Sequence, residues 1–526
     1  MTSAPALLSQ LDEEERYRRF DQLQERMAGA WAAMRAGHDD ETVVVVPSLS
    51  LDALSTMSAS TSSGTAVQAM EERFLFLLVL LRQPRLRMVY VTSMPVAPEI
   101  VEYYLALLPG IIPSHARARL ALVSLNDASP RSLSDKLLAR PRQLRRIAAL
   151  VPNRARAHLV CYNTTARERD VALSLGIPIY GADPRLADLG SKTGCRRLFA
   201  ELGVPHPLGA DDLHDPDDLA EAVAGMRAKR PSISSVIVKL NNGVSGQGNA
   251  MVQLDGLPMP GHPDEPAALR DRLRRLEPES PTLSVEGYLD AFAAGGGIVE
   301  ERIFGAELRS PSVQLRVVPG GRVELLSTHD QMLGGASGQS YLGCVFPASE
   351  EYAALIADCA RPVANRLAEL GVLGRFAVDF VVVRSHAGGW EPYAIELNLR
   401  KGGTTHPFLT LQFLTDGHYD PDRAVFLTPS GDPKYLVATD HLESDLLRGL
   451  MPADLFDIVA RRGLHFDQSR QEGIVFHMVS SLTEHGRVGL TAVGDSPQQA
   501  WRHYHDAEQV LLEEARLALQ EQPLPT

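Results

Sequence analysis

Lysine and cysteine are both scarce in this chain of 526 residues. Only six lysines stand beside 46 arginines, so a lysine inside a motif carries more weight than it would in an average sequence. The four cysteines form no C-x-x-C pair, and they are Cys161, Cys195, Cys344 and Cys359. This usage predicts neither a zinc site nor a disulfide framework.

Long apolar runs, a leader sequence and basic runs are missing as well. The longest apolar run, Phe74–Leu81, has eight residues and is far too short to span a bilayer. The first twenty residues are acidic and lack the apolar stretch of a signal peptide. A net charge of −13 without a basic run argues against nucleic-acid and membrane partners. We therefore expect a cytoplasmic protein, with a length that suggests roughly three domains.

The most informative segment is a short strand that ends in lysine and leads into glycines. Val236–Lys239 is β-branched and apolar up to the lysine, and glycines follow at positions 243, 246 and 248. Glycine lets successive backbone N–H groups turn toward one point, and a cation at the strand end adds charge to the same phosphate. The pattern predicts a nucleotide-phosphate site, with a flexible surface hairpin as the alternative.

Three other glycine motifs fail on their spacing. A dinucleotide fingerprint needs G-x-G-x-x-G, whereas the order here is G-x-x-G-x-G, which disfavours a dehydrogenase. The nearest approach to a Walker A loop, Leu189–Thr193, inserts Ser191 and lacks the first glycine. A nucleophile elbow, G-x-S-x-G, would need glycine where Gln247 stands.

Helix-like and strand-like segments alternate through the first third of the chain. The predicted helices are 66–82, 97–107, 133–150 and 164–175, and the predicted strands are 42–46, 87–92, 119–124, 158–162 and 177–180. This alternation predicts an α/β fold with a doubly wound, largely parallel sheet. We divide the chain into regions 1–183, 184–415 and 416–526, the last with strands at 473–479 and 488–493, a turn near Gly486 and a long final helix.

A second pattern places oxygen ligands on one face of a predicted hairpin. Segments 376–383 and 393–400 read as two strands around a Gly-Gly turn. With a two-residue turn, Asp379 faces Asn398 across the hairpin, and Glu396 lies diagonally on the same side. Three hard oxygen ligands on one patch suit Mg²⁺ that carries phosphates. A solvated polar strand face is the alternative.

Between these two motifs lies Gly297–Glu307, a β-branched stretch that enters a glycine turn flanked by carboxylates. Its backbone could meet an adenine edge, and the carboxylate of Glu307 could meet a ribose diol. An exposed acidic hairpin explains the same residues.

Taken in order, these elements resemble the ATP-grasp superfamily of carboxylate–amine ligases. The matching elements are Lys192 before a helix, Lys239 with its glycine loop, the Glu300–Glu307 hinge, and Asp379 with Glu396-x-Asn398-x-Arg400. The resemblance covers about 230 residues of the middle region. Four shorter sequence segments are similar to those of the pheganomycin-type peptide ligases, namely 310–314, 328–331, 398–407 and 473–477.

The resemblance implies a fold and a set of roles. The fold is an N-terminal pre-ATP-grasp domain, a central ATP-grasp domain of two α+β subdomains that clamp ATP, and a small α+β C-terminal segment. The implied ATP-binding residues are Lys192, Lys239, Gly243, Ser245, Gly246, Gln247, Gly248, Glu300, Glu301, Ile303 and Glu307. Which of Glu300 and Glu301 faces the nucleotide stays open. The implied ligands of Mg²⁺ (or Mn²⁺) are Asp379, Glu396 and Asn398.

Catalysis is assigned to Arg400 together with Lys239, and the candidate substrate contacts are Arg316, Arg400 and His406. Arg400 follows Asn398 by two residues, so strand alternation aims it at the face of the metal ligands. It would hold a carboxylate and then stabilise the oxyanion of amine attack. The alternative is a structural ion pair between Arg400 and Glu396.

The implied activity is ATP-dependent amide formation through an acyl phosphate, with release of ADP and phosphate, in peptide natural-product biosynthesis. The partners would be a small carboxylic acid and an amine or peptide, and homodimerisation stays open. The glycine loops 243–249 and 334–343 would close over the site and exclude water. Two rival functions are a kinase on the same fold and a nucleotide-binding module without turnover.

Overall fold

The structure is a computed structural model that describes residues 8–36, 40–50, 64–108, 110–243, 246, 248–280, 283–334, 338, 340–385 and 388–520. The strands are β1 Glu41–Val46, β2 Leu86–Thr92, β3 Leu120–Ser124, β4 Ala157–Cys161, β5 Gly209–Leu213, β6 Ser235–Leu240, β7 Asn249–Gln253, β8 Glu277–Pro278, β9 Gly297–Glu301, β10 Leu308–Arg309, β11 Pro311–Val317, β12 Val323–Gly334, β13 Ser340–Phe346, β14 Gly374–Arg384, β15 Trp390–Asn398, β16 His418–Asp420, β17 Val425–Leu427, β18 Tyr435–Glu443, β19 Gly473–His477 and β20 Arg487–Gly494.

The α-helices are Glu13–Gln24, Met27–Ala36, Gly64–Glu72, Pro98–Ala106, Pro113–Arg117, Leu133–Leu138, Pro141–Ala149, Ala166–Leu175, Lys192–Glu201, Pro216–Lys229, Glu265–Leu273, Val285–Gly295, Glu350–Glu369, Thr405–Thr415, Pro452–Arg462, Ser481–His485 and Pro497–Gln520. Shorter 3₁₀ turns occur at Leu8–Gln10, Arg154–Arg156, Pro184–Gly190 and Asp445–Gly449, and a longer 3₁₀ segment spans Arg73–Arg82. Within the described residues, no helix has both the length and the apolar character needed to cross a membrane.

The N-terminal sheet has four parallel strands in the order β3-β2-β1-β4. The parallel α/β arrangement predicted from the alternation is confirmed. The expected strand at 177–180 contributes only a single bridge from Ile179 to Leu159. Pro178 explains the limit, because proline has no N–H to donate to a neighbouring strand.

Two predicted helices of this region differ from the structure. The helix expected over 133–150 is broken into Leu133–Leu138 and Pro141–Ala149. Proline disfavours helical backbone at the residue before it, so a new helix starts at Pro141. The helix expected over 66–82 is α-helical only as far as Glu72 and continues as the 3₁₀ segment Arg73–Arg82.

The middle and C-terminal regions form two further large sheets. One has five antiparallel strands in the order β5-β9-β6-β7-β8. The other has nine antiparallel strands, in the order β10-β14-β11-β12-β13-β18-β20-β19 with β15 beside β14. The predicted C-terminal strands are β19 and β20, and the chain between them forms the short helix Ser481–His485 before Gly486.

The register of the hairpin β14–β15 was predicted wrongly. Asp379 pairs with Glu396, and Asn398 pairs with Ala377 instead of Asp379. The strands close at the pair Arg384–Trp390, so the connection is longer than a two-residue turn, and an irregularity follows Asp379. At residues 377–379 the shift moves each partner by two positions, which keeps these side chains on their predicted face. Beyond the irregularity the shift is three positions.

One hydrophobic core crosses the predicted boundaries between regions. It joins N-terminal residues such as Phe74 and Tyr104 to Phe408 of the middle region and to Phe476 and Leu511 near the C-terminus. The tyrosine hydroxyl of Tyr104 also donates to the carbonyl of Phe476 at 3.1 Å. The first and last parts of the chain therefore bury apolar surface against each other.

Candidate active site

A cleft lies where the five-stranded sheet faces the nine-stranded sheet, and we call it the first cleft. Residues from β6 and β9 line one side, and residues from β12, β14 and β15 line the other. Nine of the predicted site residues line it: Lys192, Lys239, Gly243, Gly246, Glu300, Glu301, Ile303, Asp379 and Glu396. Positions far apart in sequence thus converge on one space.

The two lysines enter the first cleft from different elements, and each meets a carboxylate. Lys239, at the end of β6, forms a buried ion pair with Glu300 of the adjacent strand β9. Lys192 is the first residue of its helix, and its Nζ lies 2.5 Å from Oε1 of Glu396. Both side chains are almost fully buried, so their charges act in a region of low dielectric constant.

Asn241 links the two lysine elements, and sequence reasoning gave it no role. Its carbonyl accepts from the Lys192 N–H at 3.1 Å, and its side-chain oxygen accepts from the Thr193 N–H at 3.1 Å. The asparagine therefore caps the helix that carries Lys192 from the loop that follows Lys239. Its place directly before the glycine loop is the one sequence feature that could have drawn attention to it.

The glycine loop needs glycine for two different reasons. Gly246 has a positive φ of 78°, which side chains rarely adopt. At Gly243 and Gly248 the reason is close approach, since a Cβ on Gly248 would lie 2.7 Å from the Gly243 Cα. The backbone at the two ends of the loop is therefore in close contact. Ser245 and Gln247 lie outside the described residues.

The two acidic residues of β9 point to opposite sides of the sheet. Glu300 faces Lys239, with Arg196 at 3.9 Å. Glu301 pairs with Arg230 and accepts from the Leu208 N–H at 2.8 Å. Both residues line part of the first cleft, but only Glu300 shares the side of the cationic Lys239.

Asp379, Glu396 and Asn398 share one face of the hairpin, as strand alternation predicted. The Asn398 amide donates to Oδ2 of Asp379 at 2.8 Å. Burial and the neighbouring Glu396 carboxylate raise the pKa of Asp379 to about 6. Burial would also raise the pKa of Glu396, but Lys192 reverses this and holds it below the usual value. A bound divalent cation would relieve the repulsion between the two carboxylates.

This repulsion predicts a gain in stability from Asp379→Asn in protein without added metal. The pKa of Asp379 is raised on folding, so its charge opposes folding above about pH 6, and the effect disappears as the pH falls toward about 4. We expect the variant to melt at a higher temperature than the wild type at pH 7.5 in EDTA, with the gap closing near pH 4.5.

The matched control is Asp358→Asn, on the exposed face of the helix Glu350–Glu369. It should leave the melting temperature unchanged at both pH values. An Asp379→Asn protein that melts lower than the wild type at pH 7.5 would contradict the repulsion.

A second cleft adjoins the first, and Asp379 and Glu396 line both. Arg400 and Asn398 belong to the second cleft. Arg400 donates to the Tyr162 hydroxyl and to the Lys401 carbonyl, each at 3.0 Å, and forms no ion pair with any described residue. Glu396 pairs with Lys192 instead, so the structural pair between Arg400 and Glu396 is not observed.

Three predicted residues lie elsewhere. Arg316 lines neither cleft: its Nε pairs with Glu324 at 2.5 Å and its guanidinium lies over the Trp31 ring, so the structure does not bring it together with Arg400. His406 is buried beneath the second cleft, with its Nε2 3.0 Å from Nε2 of His477. Glu307 is held by Arg309 and Arg384 instead of facing the first cleft.

The second cleft also contains residues that sequence reasoning missed. They come from all three regions of the chain: Arg73, Tyr162, Tyr341, Asp440, His441 and Arg487. No local motif marks any of them, because their neighbours in space are separated from them by long stretches of sequence.

The chain has an ATP-grasp fold. The model of the IQCH-like ATP-grasp family matches residues 184–264 and 281–422, and the model of the PGM1 C-terminal domain matches residues 454–507. The predicted ATP-grasp fold is thereby confirmed.

Similar proteins support the same assignment. The chain is 29% identical over 454 residues to L-propargylglycine–L-glutamate ligase of Streptantibioticus cattleyicolor, covering 84% of this chain and 89% of that protein. A biotin carboxylase complex from Campylobacter jejuni superposes with a TM-score of 0.54 at 12% identity, covering 92% and 96% of the two chains.

The biotin carboxylase domain dimer of Hydrogenobacter thermophilus 2-oxoglutarate carboxylase, solved with MgADP, ADP and bicarbonate, gives a TM-score of 0.52 at 13% identity over 89% of each chain. At such low identity, these two structures show a common fold. The resemblance to peptide ligases rests on the sequence match to the Streptantibioticus enzyme.

Proposed function

We propose that the chain is an ATP- and Mg²⁺-dependent carboxylate–amine ligase that forms an amide bond through an acyl phosphate. The observation that carries the proposal is the pair of adjoining clefts that share Asp379 and Glu396. One cleft holds the two lysines and the glycine loop, and the other holds an arginine without an acidic partner among the described residues. The relative that spans most of the chain is named as an amino-acid ligase.

The residues of the first cleft are suited to binding a nucleotide. Lys192 and Lys239 would neutralise phosphate oxygens, and the glycine loop would present backbone N–H groups to them. Glu300 and the backbone near Ile303 would meet the base. Glu307 stays a proposal for the ribose that requires its arginine pairs to rearrange. Because each lysine already has a carboxylate partner, nucleotide binding would exchange one anion for another.

Asp379, Glu396 and Asn398 fit a hard cation by their chemistry and their common face. When bound there, Mg²⁺ supplies charge neutralisation for the phosphates. The protein positions the reacting groups: a substrate carboxylate held at Arg400 would attack the γ-phosphoryl group, giving an acyl phosphate and ADP. Amine attack on its carbonyl would then expel phosphate and leave the amide. Arg400 would stabilise the tetrahedral oxyanion.

The substrates we propose are a small amino-acid-derived carboxylate and an amine or peptide, in the biosynthesis of peptide natural products. The relative's name includes propargylglycine, which is not one of the genetically encoded amino acids. We also propose a cytoplasmic location, which the use of ATP as a substrate supports. Homodimerisation is a further proposal, supported by the domain dimer of the Hydrogenobacter carboxylase. We also keep the division into regions 1–183, 184–415 and 416–526 as a proposal.

The test is a panel of amino acids and other carboxylic acids with MgATP, with and without amine acceptors. Hydroxylamine should trap the acyl phosphate as a hydroxamate with stoichiometric ADP, and a suitable amine should give an amide detectable by mass spectrometry. Activity should vanish in EDTA and return with Mg²⁺ or Mn²⁺. A stable phosphorylated product without hydroxamate would assign a kinase, and nucleotide binding without ADP release would assign a non-catalytic module.

A further inference from the structure

The second cleft contains a buried guanidinium that the proposed reaction does not use. Arg73 is the first residue of the 3₁₀ segment Arg73–Arg82, it is 8% exposed, and it lines the second cleft. One terminal nitrogen bonds Oδ2 of Asp440. The Nε–H is buried and has no hydrogen-bond partner among the described residues. A buried donor without an acceptor is uncommon, and this one belongs to a side chain that lines a cleft.

The position of Arg73 is fixed by a chain of buried contacts. Oδ1 of Asp440 lies 2.7 Å from Nε2 of His477, which in turn lies 3.0 Å from Nε2 of His406. Gly489 makes room for this arrangement, because a Cβ there would lie 2.1 Å from Nε2 of His477. Burial lowers the pKa of both histidines, so they support Asp440 as neutral rings. The guanidinium is therefore pre-organised.

We propose that Arg73 binds a carboxylate that does not react, so that at least one substrate is an α-amino acid or a peptide with a free carboxylate. This inference rests on the proposed ligase function and adds a substrate class to it. Arg400 would hold the carboxylate to be activated, and Arg73 would hold a second one in the same cleft. The planar guanidinium, with a free donor beside its bond to Asp440, suits a carboxylate oxygen.

Asp440 strengthens the argument for an amino acid. It also lines the second cleft, so a cationic and an anionic side chain stand next to each other there. A zwitterion with an α-carboxylate and an α-ammonium group brings no net charge to this balanced pair, whereas a simple amine or a simple acid adds an uncompensated charge.

A metal ion is the rival occupant of the same cluster. His406, Asp440 and His477 each offer one ligand atom, and these atoms lie within 4.8 Å of one another. Arg73, however, already supplies the positive charge that balances Asp440. A divalent cation beside that guanidinium would place like charges together in a buried region, which is costly.

The test is calorimetric titration of the full chain with saturating ADP and Mg²⁺. One arm compares L-glutamate with its α-carboxamide, which reports on a carboxylate of the acid substrate. The other arm compares L-alanine with L-alaninamide, which reports on a carboxylate of the amine substrate. In at least one arm, the wild type should bind the free acid about 10- to 100-fold more tightly than the amide, as expected for charge-assisted hydrogen bonds.

Arg73→Lys keeps the charge opposite Asp440 but loses the planar donor array, and it should reduce that preference to about threefold or less. The matched control is Arg82→Lys, at the other end of the same 3₁₀ segment, where the arginine pairs with the exposed Asp416. The control should keep the full preference. Unchanged melting temperatures would show that both variants are folded.

Three results would overturn the inference: neither free acid binds, each acid binds no better than its amide, or Arg73→Lys keeps the wild-type preference. Tightly held zinc that is lost in His477→Gln would also overturn it, because Asp440 would then serve a metal. Failure of the ligase proposal looks different, since carboxylate discrimination would persist while no hydroxamate or amide forms with any acid.

Discussion

Lys239→Ala should raise the KM for ATP and lower turnover by about two orders of magnitude or more, as the loss of a transition-state cation does. Lys239 stands at the end of β6, lines the first cleft and is buried against Glu300. Its ammonium group is the positive charge closest in sequence to the glycine loop, and alanine replaces it with nothing that can reach a phosphate.

Hydroxamate formation at varied ATP concentrations measures both effects. Removal of Lys239 also leaves Glu300 with Arg196, at 3.9 Å, as its one remaining ion-pair partner in the part of the chain that the structure describes, so a melting curve must show that the variant is folded. Lys229→Ala is the matched control, because Lys229 is exposed at the end of the helix Pro216–Lys229. ADP production at the wild-type rate in Lys239→Ala would remove this lysine from the site.

Arg400→Lys should keep ATP binding and lose hydroxamate and amide formation by about 100-fold. The guanidinium borders the second cleft and has no ion-pair partner among the described residues, although it contacts the Tyr162 hydroxyl at 3.0 Å. Lysine retains the charge but cannot grip a carboxylate through two parallel hydrogen bonds. The loss should therefore fall on the acid and not on the nucleotide.

Nucleotide titration and hydroxylamine trapping separate these two effects. Arg361→Lys is the matched control, since Arg361 is exposed on the helix Glu350–Glu369, pairs with Asp358 and lines neither cleft. Equal loss of ATP binding and ligation in Arg400→Lys would indicate a structural role, and ligation at the wild-type rate would show that the arginine does not hold the acyl group.

The metal face illustrates what a sequence pattern can predict. Strand alternation places Glu396 and Asn398 on one face of β15. Asp379 shares that face as predicted because the register error at its position is two residues, an even number. The register depends on the length of the connection and on the irregularity after Asp379. Glycine content alone does not determine these features.

The second cleft illustrates what a sequence pattern cannot predict. Arg73 and Asp440 meet across 367 positions of the chain, and no periodicity or local motif connects them. Arg316 and His406 were predicted as candidate substrate contacts, but tertiary packing places the Arg316 guanidinium over the Trp31 ring and buries His406 against His477. Such contacts depend on how whole sheets and helices pack.

The core that joins Phe74 and Tyr104 to Phe476 and Leu511 also bears on how substrate preference could change during evolution or engineering. Recombination that exchanges only the N-terminal third with that of a related enzyme would replace Arg73 and its neighbours in sequence. The C-terminal residues of the same core would then pack against apolar side chains from a different protein. Productive chimaeras should inherit both ends of the chain from one parent, and the middle region, with the lysines and the metal face, from the other.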